Sequence, residues 1–500
     1  MERRQQPPPQ PQREPPTAAT AAPRAGPGLG VGRGRAWGGV APCRPLPGAE
    51  RLCGASLPAI LSHPLAMAAG SGEAAERPYE LVVFGASGFT GQFVVEEVAR
   101  AASGGELRGP LRWAVAGRSR NKLQEVLERT AERLGKTALG PEVGVLLCDV
   151  DDPASLAAMA KQTRVVLNCV GPYRFFGEPV VKACVENGAS CIDISGEPQF
   201  LEGMYLKYNE KAAEKKVYII GSCGFDSIPA DMGVLYTRDK LKGTLTAVES
   251  FLTVKTGPEG SCIHDGTWKS AVYGLADQAN LKSLRKKIGY SPVPVVGAKL
   301  KRRGLVFYSQ EFKQYSIPFM GSDVSVVKRS QRYLHSHLQE TPVQYGAYVT
   351  VGGLGSVMKL MFAGILFLLL VKFSFGRKLL TKYPEFFSAG RFTKKGPTQK
   401  QMDGTSFTMT FFGEGYSEGQ DPQNGKPNVK ICTQVKGPEP GYVATPIAMV
   451  QAAVALLEDS AHLPKEGGVY SPGAAFSKTK LIDRLNKRGV EFSVISQPEV

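Results

Sequence analysis

Between Val82 and Gly91 the chain reads VVFGASGFTG. Gly85, Gly88 and Gly91 recur at every third position, between an apolar run and an amphipathic one. The apolar run, YELVVF, has the length and composition of a buried strand. Downstream, TGQFVVEEVARAA places Phe93, Val94, Val98 and Ala101 at helical spacing. In a strand-to-helix turn of this kind the first glycine allows a tight reversal. The second lets backbone approach a diphosphate, and the third lets helix pack on strand. Free amides and the helix dipole at the helix start favour an anion. Phe89 lies in the same loop with Ser87 and Thr90, whose hydroxyls add donors. Three spaced glycines alone are a weak signal; the strand before them and the helix after them give it weight.

The pattern then repeats. LRWAVAGRS, EVGVLLCDVDD, RVVLNCVGPY, ASCIDISGE and VYIIGSCGFDSIP read as further strands, separated by the helical stretches NKLQEVLERTAERLG, PASLAAMAKQT, GEPVVKACVENG and FLEGMYLKYNEKAAEKK. Strict alternation with near-continuous apolar strands predicts an α/β fold, a Rossmann-type doubly wound parallel sheet covered on both faces. After Pro229 the strands lengthen and alternate (LTAVESFLTVK, LVFYSQEF, SFTMTFFGEG, KPNVKICTQVKG), predicting a second, α+β domain. In TPIAMVQAAVALLEDS, Thr445 is expected as N-cap and Pro446 at the first helical position. The expected organisation is a disordered extension over 1–66, a dinucleotide-binding domain over 67–228, and an α+β substrate and dimerisation domain over 229–440. A C-terminal segment over 441–500 completes the chain.

Strand ends specify the nucleotide. A site for NAD usually carries Asp or Glu after the second strand, for the ribose hydroxyls. Here AGRS puts Arg118 and Ser119 there, with Arg120 and Lys122 nearby. A guanidinium fork suits a 2′-phosphate, so NADP is expected over NAD. Asp149 is placed to meet the adenine amino group, or it or Asp151 caps the next helix. Asn168, Gly171 and Pro172 end the fourth strand, at the edge where open α/β sheets bind ligands.

The remaining features bound the setting. Residues 1–66 are rich in Pro, Ala, Gly and Arg, and such a segment buries too little apolar surface to order itself. Its arginine excess is that of a mitochondrial targeting segment, whereas its prolines and glycines break the amphipathic helix such segments form. Met67 reads as a second start. The net charge of +16 comes partly from this extension and partly from scattered clusters, with no zinc-finger or RNA-binding signature, so nucleic acid is not an expected partner. Nine cysteines without C-x-x-C spacing point to a reducing, intracellular compartment. No metal-ligand spacing is present. From Leu360 to Phe375 runs LMFAGILFLLLVKFSF, bracketed by Lys359, Lys372, Arg377 and Lys378. Its uninterrupted apolar part ends at Val371, short of the roughly 20 residues a bilayer span needs. A membrane or lipid-droplet surface is the expected partner, with a fully buried core helix as the alternative.

GASGFTG, AGRS, NCVGPY, CIDISGE and GFDSIPADMG together resemble the saccharopine dehydrogenase/reductase family. The resemblance covers the chain from Met67 onward and is strongest in its first half. It implies a Rossmann domain, an α+β domain whose C-terminal part returns to the first, and nicotinamide-dependent redox chemistry; a homodimer is a further expected partner. Bacterial trans-acting enoyl reductases of lipid assembly share the resemblance, which brings in a small-molecule or lipid-like substrate. Cations that would clamp the carboxylates of saccharopine cannot be assigned by motif, so saccharopine is not the expected substrate. Candidates for moving a proton are Tyr173, Asp193, Ser195, Glu197, Cys223 and Asp226, with His264 and Asp265 as a relay pair; none is singled out as catalytic. A non-catalytic, membrane-bound dinucleotide scaffold is the competing reading.

Overall fold

The computed structural model describes residues 77–496 apart from 106 and 140–142. The 1–66 extension, its targeting readings, Met67, Cys43 and Cys53 lie outside the described residues.

Alternation of buried side chains builds a two-faced sheet. β1 (Tyr79–Phe84) is followed by α1 (Phe89–Ser103), β2 (Trp113–Gly117), α2 (Arg120–Arg133), β3 (Gly144–Leu147) and α3 (Pro153–Lys161). Then come β4 (Thr163–Asn168), α4 (Tyr173–Glu186), β5 (Ser190–Asp193), α5 (Pro198–Glu214) and β6 (Tyr218–Ile220). Leu81, Val83, Trp113, Val115, Val165 and Leu167 enter one apolar cluster. Their neighbours Val82, Phe84, Ala114, Ala116 and Val166 enter another. Each large aliphatic side chain so buried contributes about 1.5–3 kcal/mol. The sheet order is Gly468–Tyr470, β6, β5, β4, β1, β2, β3, and every neighbouring pair is parallel. Order reverses between β1 and β4, which opens a crevice at their carboxyl ends.

α6 (Ile228–Lys240) leads to a mixed seven-stranded sheet centred on β7 (Thr244–Lys255). β7 pairs antiparallel with Ser406–Tyr416 and parallel with Gln344–Gly352. α6 lies close on this sheet because Gly233 faces Phe411; a Cβ there would stand 2.2 Å from the ring. Phe407, Met409 and Phe411 join the apolar cluster of the first sheet, so one core serves both. Gly468–Tyr470 completes the first sheet and Glu491–Ser496 edges the second, so the end of the chain belongs to both.

Three expectations differ from the structure. The sixth strand stops at Ile220, because Ser222 adopts φ +64° and gives its amide to the Asp193 carboxylate instead of a ladder. LVFYSQEF yields only the strand Phe307–Ser309. Thr445 is not an N-cap: it is already helical and buried, and its hydroxyl accepts the Phe225 amide and donates to Pro440 O. The helical stretch instead starts at Pro440, where the Glu439 carboxylate accepts the amides of Gly441 and Tyr442.

The apolar segment departs further. It forms a 19-residue helix, Leu354–Lys372, longer than the expected 360–371 core, and Ser374–Lys382 folds back as a second helix. Gly376 makes that return possible; a Cβ there would stand 2.1 Å from Leu370 O. The long helix is not a buried core helix, since only 11% of its apolar window is covered. Val357 near its start and Val371 near its end are buried, which pins both ends to the body, while Met358, Met361, Phe362, Ile365, Leu366, Leu368 and Leu369 are exposed. Phe373, Phe375 and Phe386 extend the apolar surface.

Candidate functional site

The crevice is lined by the loops that leave β1, β2 and β4. After β1 the chain reverses at Gly85, whose φ of +82° is left-handed and whose amide donates to Ala116 O at 2.9 Å. A Cβ on Gly85 would stand 2.8 Å from Val170, and one on Gly91 would stand 2.1 Å from Gly85 O. Both positions therefore require glycine, for the reasons the spacing suggested. α1 begins at Phe89 with Gly88 as N-cap and no side chain capping it. The three later helices α2, α3 and α4 are closed. Ser119 accepts the Lys122 amide at the start of α2, and Asp152 accepts the Ala154 amide at the start of α3. The Glu197 carboxylate accepts the amides of Tyr173 (3.0 Å) and Arg174 (3.3 Å) at the start of α4. Of these four helix starts, α1 alone is left open to an incoming anion. Ser87 and Gly88 are exposed at its mouth, and Thr90 is half-buried beside them.

Around this opening the expected residues gather. The end of β2 adjoins the loop: a Cβ on Gly117 would lie 3.7 Å from Ser87 Oγ. Arg118, the next residue, is exposed and forms no ion pair or hydrogen bond among the described residues. Asp149, past β3, is half-buried and accepts the Asp151 amide at 3.2 Å. It caps its own turn, and Asp152 rather than Asp149 or Asp151 caps the helix. Asn168 is fully buried, its Oδ1 accepts the Val170 amide, and its Nδ2 has no partner. The Gly171–Pro172 bond is cis and leads directly into α4. An open helix start, glycines a Cβ would fill, an unpartnered guanidinium and a buried amide without an acceptor suit a phosphorylated dinucleotide.

Most of the chemistry candidates are occupied structurally. The Tyr173 hydroxyl donates to Asn168 O at 2.8 Å, and burial pushes its ionisation well above the ordinary phenol range. Asp193 Oδ1 accepts the amides of Ser195 and Ser222, and burial raises its carboxyl to about 6. Ser195 Oγ accepts the Glu197 amide. Glu197 closes α4, accepts the Ser270 hydroxyl at 2.9 Å and pairs with Arg174. Cys223 is fully buried and its thiol is pushed well up by burial. Asp226 differs: burial raises it too, but its carboxyl has no hydrogen-bond partner among the described residues.

His264 and Asp265 do not form the expected relay. Asp265 is buried and paired with Lys269 at 2.8 Å, leaving His264 Nδ1 3.6 Å away. His264 instead caps α7 (Asp265–Ala276), its Nδ1 accepting the Gly266 amide at 3.2 Å; burial lowers its pKa. The sequence pairs His264 with Asp265, whose carboxylate lies 3.6 Å from Nδ1, but gives no sign of its aromatic neighbour. Its ring stacks on Phe89 at 4.7 Å, and its amide donates to the Tyr442 hydroxyl at 2.7 Å. Tyr442 meets Phe89 edge-on. No periodicity or spacing links positions 89, 264 and 442; only the tertiary fold joins them.

Residues 81–220 match the family model described as the saccharopine dehydrogenase NADP binding domain. A Homo sapiens protein called saccharopine dehydrogenase-like oxidoreductase is 70% identical over 85% of this chain and 99% of its own length. A Caenorhabditis elegans lipid droplet localized protein is 40% identical over 84% of this chain and 99% of its own. An Arabidopsis thaliana probable mitochondrial saccharopine dehydrogenase-like oxidoreductase is 34% identical over 84% and 97%.

Proposed function

Since the chain belongs to the saccharopine dehydrogenase-like oxidoreductases, NAD(P)-dependent proteins with an NADP-binding domain, we propose that it reduces or oxidises a lipid-like substrate at a membrane or lipid-droplet surface. In this reading the amides at the start of α1, with Ser87, Phe89 and Thr90 around them, hold the diphosphate. Gly85, Gly88 and Gly91 keep side chains out of its way. Arg118 and Ser119 hold the 2′-phosphate, Asp149 lies toward the adenine, and Asn168, Gly171 and Pro172 flank the nicotinamide end. The bound dinucleotide supplies the hydride chemistry; the protein orients the substrate and moves one proton. Asp226 is our choice for the proton, as a carboxyl past the end of β6 that burial raises and that has no hydrogen-bond partner among the described residues.

The observation that carries the cofactor half is the uncapped start of α1 beside the unpaired Arg118. The lipid half rests on the exposed helix. Nineteen residues at about 1.5 Å each give about 28 Å, near the thickness of a hydrocarbon core. A helix apolar on nearly all sides belongs in lipid or in a core, and this one is outside the core. With both ends pinned, it suits an in-plane seat on one leaflet or a monolayer. Exposed Lys359, Lys372 and Lys378 reach the headgroup layer. The worm relative's lipid-droplet name agrees with this; the plant relative's name keeps the mitochondrion as the other address.

The structural duties of Tyr173, Asp193, Ser195, Glu197 and Cys223 favour one competing reading, a scaffold that binds the dinucleotide without turning it over. Following NADPH absorbance with vesicles made from a total lipid extract separates the two. Lipid-dependent oxidation that falls in Asp226→Asn supports the enzyme. Tight NADPH binding with no oxidation by any lipid or small-molecule fraction overturns it in favour of the scaffold.

A further inference from the structure

α7 stands between the exposed apolar helix and the mouth of the glycine loop, and it touches both. On its outer side Trp268 is buried against the apolar unit. Its ring lies 4.8 Å from Phe367, and its indole N–H donates to Leu380 O at 2.9 Å. Trp268, Val272, Val371 and Leu380 form a small apolar cluster separate from the main core. One helical turn before Trp268, about 6 Å along the axis, His264 stacks on Phe89 at the opening of α1. Half a turn after Trp268, Ser270 donates to Glu197, which closes α4 on the other lip of the crevice. The chain leaving the apolar unit returns to the same place. Phe392 and Thr393 pair with Ile263 and His264, and Gly396 lies so close to Phe89 that a Cβ would stand 2.2 Å from its ring.

We propose that α7 couples the lipid surface to the cofactor crevice, with Trp268 as the positioning residue and His264 as the contact that holds Phe89 in place. The proposal rests on the lipid-surface reading above and adds regulation to it. The satellite cluster behind Trp268 is small and has few partners in the main core, so its order depends on what covers the apolar helix. With lipid on that helix, the cluster is closed from outside and α7 is held against Phe89. Without lipid, α7 loosens and the diphosphate loop loses a wall. Lipid and dinucleotide then strengthen each other's binding, as two ligands that favour the same state must.

The test is an NADPH fluorescence titration of the intact chain with and without phosphatidylcholine–phosphatidylserine vesicles, with flotation of the same samples. The expected result is an NADPH Kd lowered about fivefold or more by vesicles, the lower end of ordinary coupling. Trp268→Ala should still float with the vesicles but show the same Kd with and without them. Trp268→Phe, which keeps the ring contact with Phe367, should recover part of the shift. His264→Ala, which leaves the satellite cluster intact, should lose it, so a folding defect at Trp268 does not decide the matter. A wild-type chain that floats yet binds NADPH equally well in both conditions overturns the coupling and leaves the surface reading standing. A chain that binds NADPH but does not float overturns the surface reading, and the coupling with it.

Discussion

Among the described residues, two stretches of 19 residues are long and apolar enough to cross a membrane, and the fold treats them in opposite ways. Pro440–Glu458 is 78% buried, with Met449, Val450, Ala452 and Ala453 in the main cluster. Leu354–Lys372, the more apolar of the two, is 11% buried. Their compositions explain part of the difference. The buried helix is built on alanines and valines, small enough to pack between β4, β5 and α1. The exposed helix carries leucines, phenylalanines and methionines around its whole circumference, more side chain than one contact face can cover. Apolar length alone does not distinguish a core helix from an exposed one; side-chain size and the width of the docking stripe do.

The sharpest way to break this comparison is a charge in each helix. Val450→Asp puts an unpaired carboxylate where exposure is 1%, and is expected to cost more than about 4 kcal/mol and prevent folding. Leu366→Asp sits on the exposed face and should change stability by no more than about 0.5 kcal/mol while abolishing flotation with lipid vesicles. Thermal melts and flotation of both variants check this. If Leu366→Asp unfolds the chain, the exposed helix is part of a core after all.

A second variant sharpens the contrast between packing and ligand contact. Gly91→Val places a side chain 2.1 Å from Gly85 O, so α1 must shift. We expect about 1–3 kcal/mol of lost stability, a lower melting midpoint and loss of NADPH binding, with flotation unchanged. Retained NADPH affinity would mean that the α1 start is not the diphosphate site.

The most gradual expected effect is pH dependence. Burial holds Asp193 and Asp231 at about 6, against about 3.9 in an unfolded chain. Between these values the folded state keeps protons that the unfolded state has released. Their contribution therefore favours folding below pH 4 and is lost as pH rises to about 6, by an amount of order 2–3 kcal/mol each. Asp193→Asn should flatten the fall of the melting midpoint between pH 4 and 6. Attachment to vesicles through apolar side chains should show no such curve.

What could be read from the sequence divides along the same line. Local signals were sufficient for β1 to α1, because Gly85, Gly88 and Gly91 meet needs set within ten residues of chain. Alternating burial on β1, β2 and β4 needed only the apolar runs. The apolar run shows the helix but sets its start at 360, because Gly353 and Gly355 mask a helix that begins at Leu354. The cap expected at Thr445 and the alternative one at Asp149 or Asp151 fall elsewhere, since which carboxylate or hydroxyl reaches a helix start depends on turn geometry. The stack of His264 on Phe89 and the closure of α4 by Glu197 join residues 175 and 24 positions apart, beyond the reach of any local signal.

In the proposed site a phosphorylated dinucleotide sits on the open start of α1 with its 2′-phosphate on Arg118. Calorimetric titration of the intact chain and of Arg118→Glu with NADPH and NADH tests it most directly. Strong heat with NADPH, weaker binding of NADH, and a loss of NADPH affinity of about ten- to hundredfold in Arg118→Glu with NADH little changed are expected. No heat from either nucleotide with the folded wild-type chain would contradict it.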